Sequence, residues 1–398
     1  MIDLRLAREN PELVKEALAR RGTEPRIDEL LEIDARRRDA QTRLDALRSR
    51  QKQIGKEVPR LEGDEKQKLL DELQGLKEEI KQLEAEEDTS AVALTNLLVE
   101  IRTSGLPPAF DFPVRDHLEI GQMLEAIDTE RAAKASGARF AYLKGKGALL
   151  ELALVRFVVD KLGHHEFIPV VPPVLVRREA MEGTGFLPTD EQQIYKLADD
   201  DLYLVGTSEV SIAAMHADEF IDVEALPLRY AGISTCFRRE AGAYGKDTRG
   251  IFRVHQFDKV EMFSFAHPDG SWDEHEFLLE RQEEIFQALE IPYRVVNIAA
   301  GELGASAAKK YDIEAWLPGQ AAYREVTSCS NCTDYQARRL KTRFRTENGP
   351  QLVHTLNGTA IAIGRAIVAL LENHQRPDGS VEIPHALRHY IGMERLEP

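Results

Sequence analysis

The sequence predicts an α+β chain in which helices flank an antiparallel sheet, preceded by an N-terminal antiparallel coiled-coil hairpin. Three observations predict it. The first quarter holds two heptad-spaced helical runs joined by turn residues, and composition then shifts to Gly, Pro and Phe across 99–116. Beyond that stretch, strand and helix patterns follow one another in mixed order without an internal repeat.

A short helical opening starts at Asn10-Pro11 and ends at Gly22. No glycine then occurs from Arg26 to Ile54. Leu30, Ile33, Ala40, Leu44, Leu47, Ile54 and Val58 alternate at spacings of three and four, with Arg37 and Gln51 at seam positions. A second run carries Leu69, Leu73, Leu76, Ile80, Leu83, Leu94 and Leu97, interrupted by Glu87 and Ser90. Pro59, Gly63 and Asp64 between them predict the turn. Two heptad helices so joined make an antiparallel coiled coil whose arms project about 45 Å at 1.5 Å per residue. Charge is lopsided along it: Arg36 to Arg60 holds nine Lys/Arg against three acids, and Glu62 to Asp88 four Lys against eleven acids. On pattern alone, opposite charges lacing the helices together is the favoured reading, over arginines offered to a phosphate backbone.

These features divide the chain into an arm domain at 1–98, a short linker at 99–116 and a main domain at 117–398. Within the last, Gly147 to Leu162 reads as a helix. Phe167 to Val176, carrying Pro169, Pro172 and Pro173, reads as an edge or terminal strand. Residues 226–265 read as a hairpin, and Val353 to Gln375 runs from a strand through Asn357-Gly358 into a helix of about four turns.

Composition excludes several classes. A formal net charge of -16 over 398 residues argues against a generic nucleic-acid binder without excluding a local basic surface. Three cysteines, Cys236, Cys329 and Cys332, build no disulfide framework. Neither a basic-then-apolar opening nor an uncharged run of ~20 apolar residues is visible, so the expected compartment is the cytoplasm and no membrane partner is expected. The P-loop and post-strand Gly-x-Gly-x-x-Gly patterns are missing, which disfavours those nucleotide sites.

The most informative stretch is Cys236-Phe237-Arg238-Arg239-Glu240, a Gly-rich loop from Ala241 to Gly250 containing Lys246 and Arg249, then Ile251 to Phe265. Residues two apart on a strand share a face, so Arg253, His255, Phe257, Lys259 and Glu261 are expected together, as are Arg238 and Glu240. Such a face can pin a phosphate with arginine, stack a base on Phe257 and hold an ammonium with Glu261. A salt-bridged outer sheet face is the alternative.

This hairpin resembles motif 2 of class II aminoacyl-tRNA synthetases, and Phe237 to Gly242 with Arg253-Val254-His255-Gln256-Phe257 resembles the seryl family in particular. Phe167-x-x-Val170-x-x-Pro173 resembles motif 1, the dimer-forming segment, and Gly358-Thr359-Ala360 through Gly364-Arg365 resembles motif 3. Gly183 to Pro188, Gly206-Thr207-Ser208-Glu209 and Arg324 to Cys332 are similar to the same family, as is the coiled-coil arm. The resemblance spans nearly the whole chain in order.

It implies a reaction that joins a serine carboxylate to the α-phosphate of ATP and then passes serine to tRNA(Ser), and to tRNA(Sec). The charge that gathers in the transition state calls for arginines and Mg²⁺ rather than a covalent nucleophile. By the resemblance Arg238, Arg365 and Glu325 are catalytic, Arg238 on the α-phosphate. Glu240 reads the adenine amino group, Phe257 and Arg365 sandwich the base, and Arg239, Arg253, Val254, Val326, Thr327 and Ser328 complete the ATP site. Glu325 and Ser328 are the implied Mg²⁺ ligands, since hard oxygens suit that ion. The serine pocket is implied at Thr207, Ser208, Glu209, Arg238, Glu261 and Thr359, with Glu261 on the ammonium and Thr359 and Glu209 on the hydroxyl. A site built around a hydroxyl rejects alanine strongly, because its own polar groups would go unpaired. The family's arm grips its tRNA across a homodimer, which makes Arg36, Arg37, Arg43, Arg48 and Arg50 candidate phosphate contacts beside Lys246 and Arg249.

Other residues take plainer readings. Cys329-x-x-Cys332 has no second pair, so zinc is not expected. His255 is expected to orient neighbours rather than act as a base, and the apolar helix Leu149 to Val159 to serve as core or dimer interface. Two departures from the family stand out: Thr359 replaces a serine often found there, and the usual proline-rich connection after the arm is short, Leu97-Leu98 running almost directly into Val99-Glu100-Ile101-Arg102. Two other readings stay open, a biosynthetic or inhibitor-resistant paralogue and a catalytically dead RNA-binding homologue. A dead homologue should lose Arg238, Glu240, Glu325 or Arg365, and all four are present.

Overall fold

The computed structural model describes residues 8, 10–12, 15, 27–58, 66, 67, 69, 71–85, 100–241, 247, 249–298 and 303–398. The chain forms two compact units, Met1–Arg102 and Thr103–Pro398.

In the first unit, helix α1 (Ile27–Glu57) faces a second helical stretch at 71–85. Ala40 and Leu44 bury against Ile80 and Leu83, with Leu47 packed on the cluster, as the heptad spacing requires. The seam departs from expectation at one place: Asp34 is buried and Ile33 only half-buried. A carboxylate is tolerated there because Arg8 grips it through two hydrogen bonds of 2.7 Å and Arg38 adds a third at 3.1 Å. The Arg8 hydrogen bond holds Asp34 below its ordinary pKa. Leu94, Leu97 and the expected turn at Pro59, Gly63 and Asp64 lie outside the described residues.

The main sheet has eight strands, the first of which begins three residues before the second unit and the rest of which lie within it, numbered here in chain order: β1 (Glu100–Ser104), β2 (Ile168–Val170), β3 (Leu228–Phe237), β4 (Gln256–Ala266), β5 (Tyr293–Asn297), β6 (Lys309–Leu317), β7 (Ala322–Asn331) and β8 (His354–Ala362). Their spatial order is β1-β5-β6-β7-β8-β4-β3-β2. Within the stretch read as linker, residues 100–104 thus form an edge strand. Each pair for which register is set is antiparallel except β2–β3, so the central sheet is the antiparallel one the mixed element order predicts. Helices α2 (His117–Met123), α3 (Lys146–Gly163), α4 (Glu209–Met215), α5 (Ser271–Ala288), α6 (Tyr335–Leu340) and α7 (Ile363–Asn373) pack around it.

The expected hairpin is β3–β4, paired from Gln256↔Phe237 to Phe265↔Leu228. The proline stretch is two short strands, Ile168–Val170 and Leu175–Arg177, parted at Pro172-Pro173. Pro169 sits in edge strand β2, where a missing N–H is harmless. Asn357-Gly358 does not turn the chain; both residues lie in β8, opposite Phe263 and Met262 of β4. The following helix has 11 residues, about three turns rather than four. A hydrophobic core gathers around Phe263, Phe265, Ile212, Phe344 and Val353, and a second cluster joins Val176, Met181, Leu187, Tyr203 and Val205. Among the described residues no helix is long and apolar enough to cross a membrane.

Candidate active site

The strand ends and the irregular segments beyond them make the site. Expected on the faces of β3 and β4, Arg238, Glu240, Arg253 and His255 lie instead just outside both strands, because the ladder stops at Gln256↔Phe237. Freed from the pleat, they are fixed by other contacts. The N–H of Arg238 donates to the His255 carbonyl at 2.9 Å, and His255 Nδ1 donates to the Arg238 carbonyl at 3.0 Å. His255 therefore orients Arg238. Arg238 Nε donates to the Gly206 carbonyl at 3.3 Å, and its guanidinium stands 5.4 Å from the centre of the Phe257 ring. Glu240 takes a left-handed backbone at φ 50°, costly for a residue with a Cβ, and its carboxylate accepts from Arg253 at 2.8 Å.

These groups line a cleft of about 190 Å³. Arg238, Glu240, Arg253, Val254, Phe257, Glu325, Val326, Thr327, Ser328, Thr359 and Arg365 all border it. On its far wall, Arg365 donates to the carbonyl of Glu325 at 2.9 Å and to its carboxylate at 3.2 Å. The aromatic beneath Arg365 is Phe252, at 5.0 Å, while Phe257 carries Arg238. Burial pushes the Glu325 carboxyl up, but the Arg365, Lys310 and Arg238 charges outweigh it and hold the pKa below its ordinary value. Opposite Ser328 on β6, Asp312 goes the other way, raised by burial and then by the Glu325 charge.

Deeper in, β4 and β8 bring Glu261 and Thr359 face to face, the Thr359 hydroxyl donating to Glu261 Oε2 at 3.0 Å. Lys259 Nζ pairs with the same carboxylate and donates to Thr207 Oγ1 at 2.8 Å. Glu209, at the start of α4, accepts from Gln336 at 2.7 Å and from Asn357 at 3.0 Å. Burial first, then the Glu261 charge, push its carboxyl up to about 7.

Not every candidate joins this constellation. Arg239 turns away, its guanidinium 5.9 Å from the Tyr195 ring centre and its N–H on the Gln193 carbonyl. Ser208 is fully buried with an Oγ that finds no hydrogen-bond partner. Arg249 borders a separate cavity with His117, Asp247 and Glu372, and Lys246 lies outside the described residues. In the arm unit, Arg48 donates to Glu84 and Arg50 to Glu72, each at 2.8 Å, while Arg43 stands 3.7 Å from Glu79 and Arg36 pairs with Glu32. Arg43, Arg48 and Arg50 thus pair across to the second helical stretch, as the lacing reading expects, while the Arg36 pair stays within α1. Arg37 is half-buried on α1.

Sequence reasoning passed over Phe252, Lys310, Asn357 and Gln336. Asn357 was masked by its Asn-Gly turn signal, and Gln336, which reaches Glu209 across 127 positions, carries no local signal at all. The three cysteines are buried thiols, with Cys329 and Cys332 pushed well up by burial. Among the described residues no three His, Cys, Asp or Glu side chains group as a metal site.

The sheet, the hairpin and the arginine-lined cleft define a class II synthetase core, and residues 194–374 match the tRNA synthetase class II core domain (G, H, P, S and T). Residues 1–102 match the seryl-tRNA synthetase N-terminal domain. The chain is 52% identical to the serine--tRNA ligase of Thermobifida fusca, covering all of this chain and 99% of that one. That comparison runs over 419 residues, longer than the 398 here, so the relative carries insertions that this chain lacks. A crystal structure of seryl-tRNA synthetase from Pyrococcus horikoshii complexed with ATP is 43% identical with a TM-score of 0.74, each chain fully covered. Another, of the cytoplasmic serine-tRNA ligase of Naegleria fowleri in complex with AMP, is 34% identical with a TM-score of 0.72, covering 100% of this chain and 99% of that one. The chain belongs to the seryl-tRNA synthetase family.

Proposed function

We propose that this chain is a serine--tRNA ligase, which activates L-serine with ATP and transfers it to the 3′ end of tRNA(Ser) and of tRNA(Sec). A carboxylate oxygen of serine attacks the α-phosphorus, and the bond to pyrophosphate breaks, leaving seryl-adenylate. A ribose hydroxyl of the tRNA then attacks the serine carbonyl and AMP leaves. The observation that carries this reading is the cleft in which Arg238, Phe257, Glu325 and Arg365 meet beside the buried Glu261–Thr359 pair.

In this reading Arg238 neutralises charge growing on the α-phosphate, and Arg365 steadies the nucleotide from the opposite wall. Phe257 and Arg365 flank the base, Glu240 reads its amino group, and Arg253 holds Glu240. Glu261 meets the serine ammonium, while Thr359 and Glu209 meet the hydroxyl. Lys259 already sits on Glu261, so an incoming ammonium shares that carboxylate with it.

The donor set suits magnesium. Glu325 is held anionic, and its side chain keeps 47% of its surface accessible. Asp312 Oδ1 is buried without a hydrogen bond, with only an ion contact from Lys310 at 3.2 Å. Glu325 and Ser328 would hold the ion, hard oxygens for a hard cation. When bound, it supplies neutralisation of the phosphate oxygens.

The arm at 1–98 binds the tRNA, 99–116 connects it and 117–398 catalyses. Leu149 and Leu152 on α3 and Ile168 and Val171 at β2 are large apolar side chains left exposed, which supports a homodimer across that face. The cytoplasm, where tRNA and ATP are abundant, is the compartment. The test is serine-dependent exchange of pyrophosphate into ATP, followed by charging of purified tRNA(Ser). Absence of exchange with serine rejects the reading; exchange without charging points to a damaged arm or to a different carrier.

A further inference from the structure

Ile251 to Val254 wall the cleft, yet no strand ladder holds them, since β4 begins at Gln256. Side chains do the holding instead. The N–H of Ile251 donates to Nε2 of His117 at 3.3 Å. An imidazole that accepts at Nε2 and is neutral carries its proton on Nδ1. That nitrogen lies 2.9 Å from Glu372 Oε1, so it donates there. Glu372 is fully buried and also accepts from the N–H of His117 at 3.1 Å and from Gly319 at 2.8 Å. The chain reaches the ring through Gly250 at φ +78°, where a Cβ would collide with the imidazole. Beyond Ile251, Phe252 lies under Arg324 and Arg365, at 4.4 and 5.0 Å.

We propose that His117 is a positioning residue for ATP. Glu372 fixes the ring's proton on Nδ1, the bare Nε2 fixes the Ile251 N–H, and Ile251 fixes the wall that presents Phe252, Arg253 and Val254 to the nucleotide. His117 itself does not border the cleft. The inference rests on the reading of this cleft as the ATP site.

Two isosteric substitutions in the full chain separate the two ends of the ring. His117→Asn keeps an amide donor near Nδ1 for Glu372 and removes the acceptor. His117→Gln keeps a carbonyl oxygen near Nε2 for Ile251. In serine-dependent exchange, His117→Asn raises the KM for ATP roughly tenfold and leaves that for serine within about twofold, the loss expected for one buried hydrogen bond. His117→Gln brings the ATP KM back to within about threefold of wild type. Equal losses in both variants, a loss in the Gln variant alone, or no change in either overturns the proposal. If the Asn variant does not fold, Glu372→Gln reads the same bond, because it lets the ring proton move to Nε2; an unchanged ATP KM there overturns it equally. Absence of exchange in the wild-type chain rejects the functional reading instead.

Discussion

The Thr359 hydroxyl donates to Glu261 Oε2 at 3.0 Å, tying β8 to β4 across 98 positions of sequence. Neither side chain has appreciable contact with solvent, and Lys259 lies on the same carboxylate. In the proposed reading, this buried anion receives the ammonium of serine beside the Thr359 hydroxyl. Glu261→Gln keeps the shape and removes the charge. Loss of a desolvated charge pair of this kind costs about 2–5 kcal/mol, so the serine KM in pyrophosphate exchange should rise about 30-fold or more while the ATP KM stays near wild type. A serine KM within about threefold of wild type would remove Glu261 from the pocket.

Glu209 predicts a stability effect with a definite sign. Burial and then the Glu261 charge raise its carboxyl from an ordinary 4.5 to about 7 in the folded chain. Across that interval the folded state holds a proton that the unfolded state has released. The carboxyl's contribution is therefore whole below pH 4.5, declines as pH rises, and is lost once the folded group ionises near 7. Glu209→Gln is neutral throughout. Its unfolding midpoint relative to wild type should climb between about pH 5 and pH 7.5 and then level off. A difference that stays flat with pH rejects the assignment.

What could be read from the chain follows a physical division. The β3–β4 hairpin was legible because its alternation is local, and the arm because heptads are local too. The direct neighbours of Glu209 were not, since Gln336 and Asn357 arrive from 127 and 148 positions away and are ordinary polar residues until the fold assembles them. Arg238 and Glu240 border one cleft, but from beyond the strand on which their spacing puts them: a two-residue period does not announce where the ladder ends. Asp34 entered the arm seam for a similar reason, because the Arg8 that neutralises it is remote in sequence.

The arm arginines make a separate prediction. Arg48 and Arg50 are bound to Glu84 and Glu72, but their side chains remain 51% and 41% exposed, and surface pairs of this type contribute about 0–1 kcal/mol. A phosphate backbone can compete for them at little expense. Arg43→Ala and Arg48→Ala should each lower the kcat/KM for tRNA charging several-fold and flatten its dependence on salt by about one unit of log–log slope. Pyrophosphate exchange, which needs no tRNA, should not move. Equal losses in exchange and charging would place the damage in the catalytic unit and remove these arginines from tRNA binding.

The exposed apolar face of the second unit leads to the last expectation. Leu152 on α3 is 67% exposed and Val171, just after β2, is 78% exposed, while the opposite side of the same helix buries Leu150, Leu154 and Val158. An amphipathic surface helix would carry polar residues at Leu149 and Leu152. Covering each leucine in a dimer interface yields about 1.5–3 kcal/mol, whereas a carboxylate there must be desolvated. If the proposed homodimer forms through this face, wild type sediments as a dimer at micromolar concentration in sedimentation velocity and Leu152→Asp as a monomer. Because the side chain is solvent-facing within one subunit, the same substitution should leave the subunit's own fold, read by circular dichroism, intact. A Leu152→Asp chain that still sediments as a dimer would show that subunits do not meet through this face.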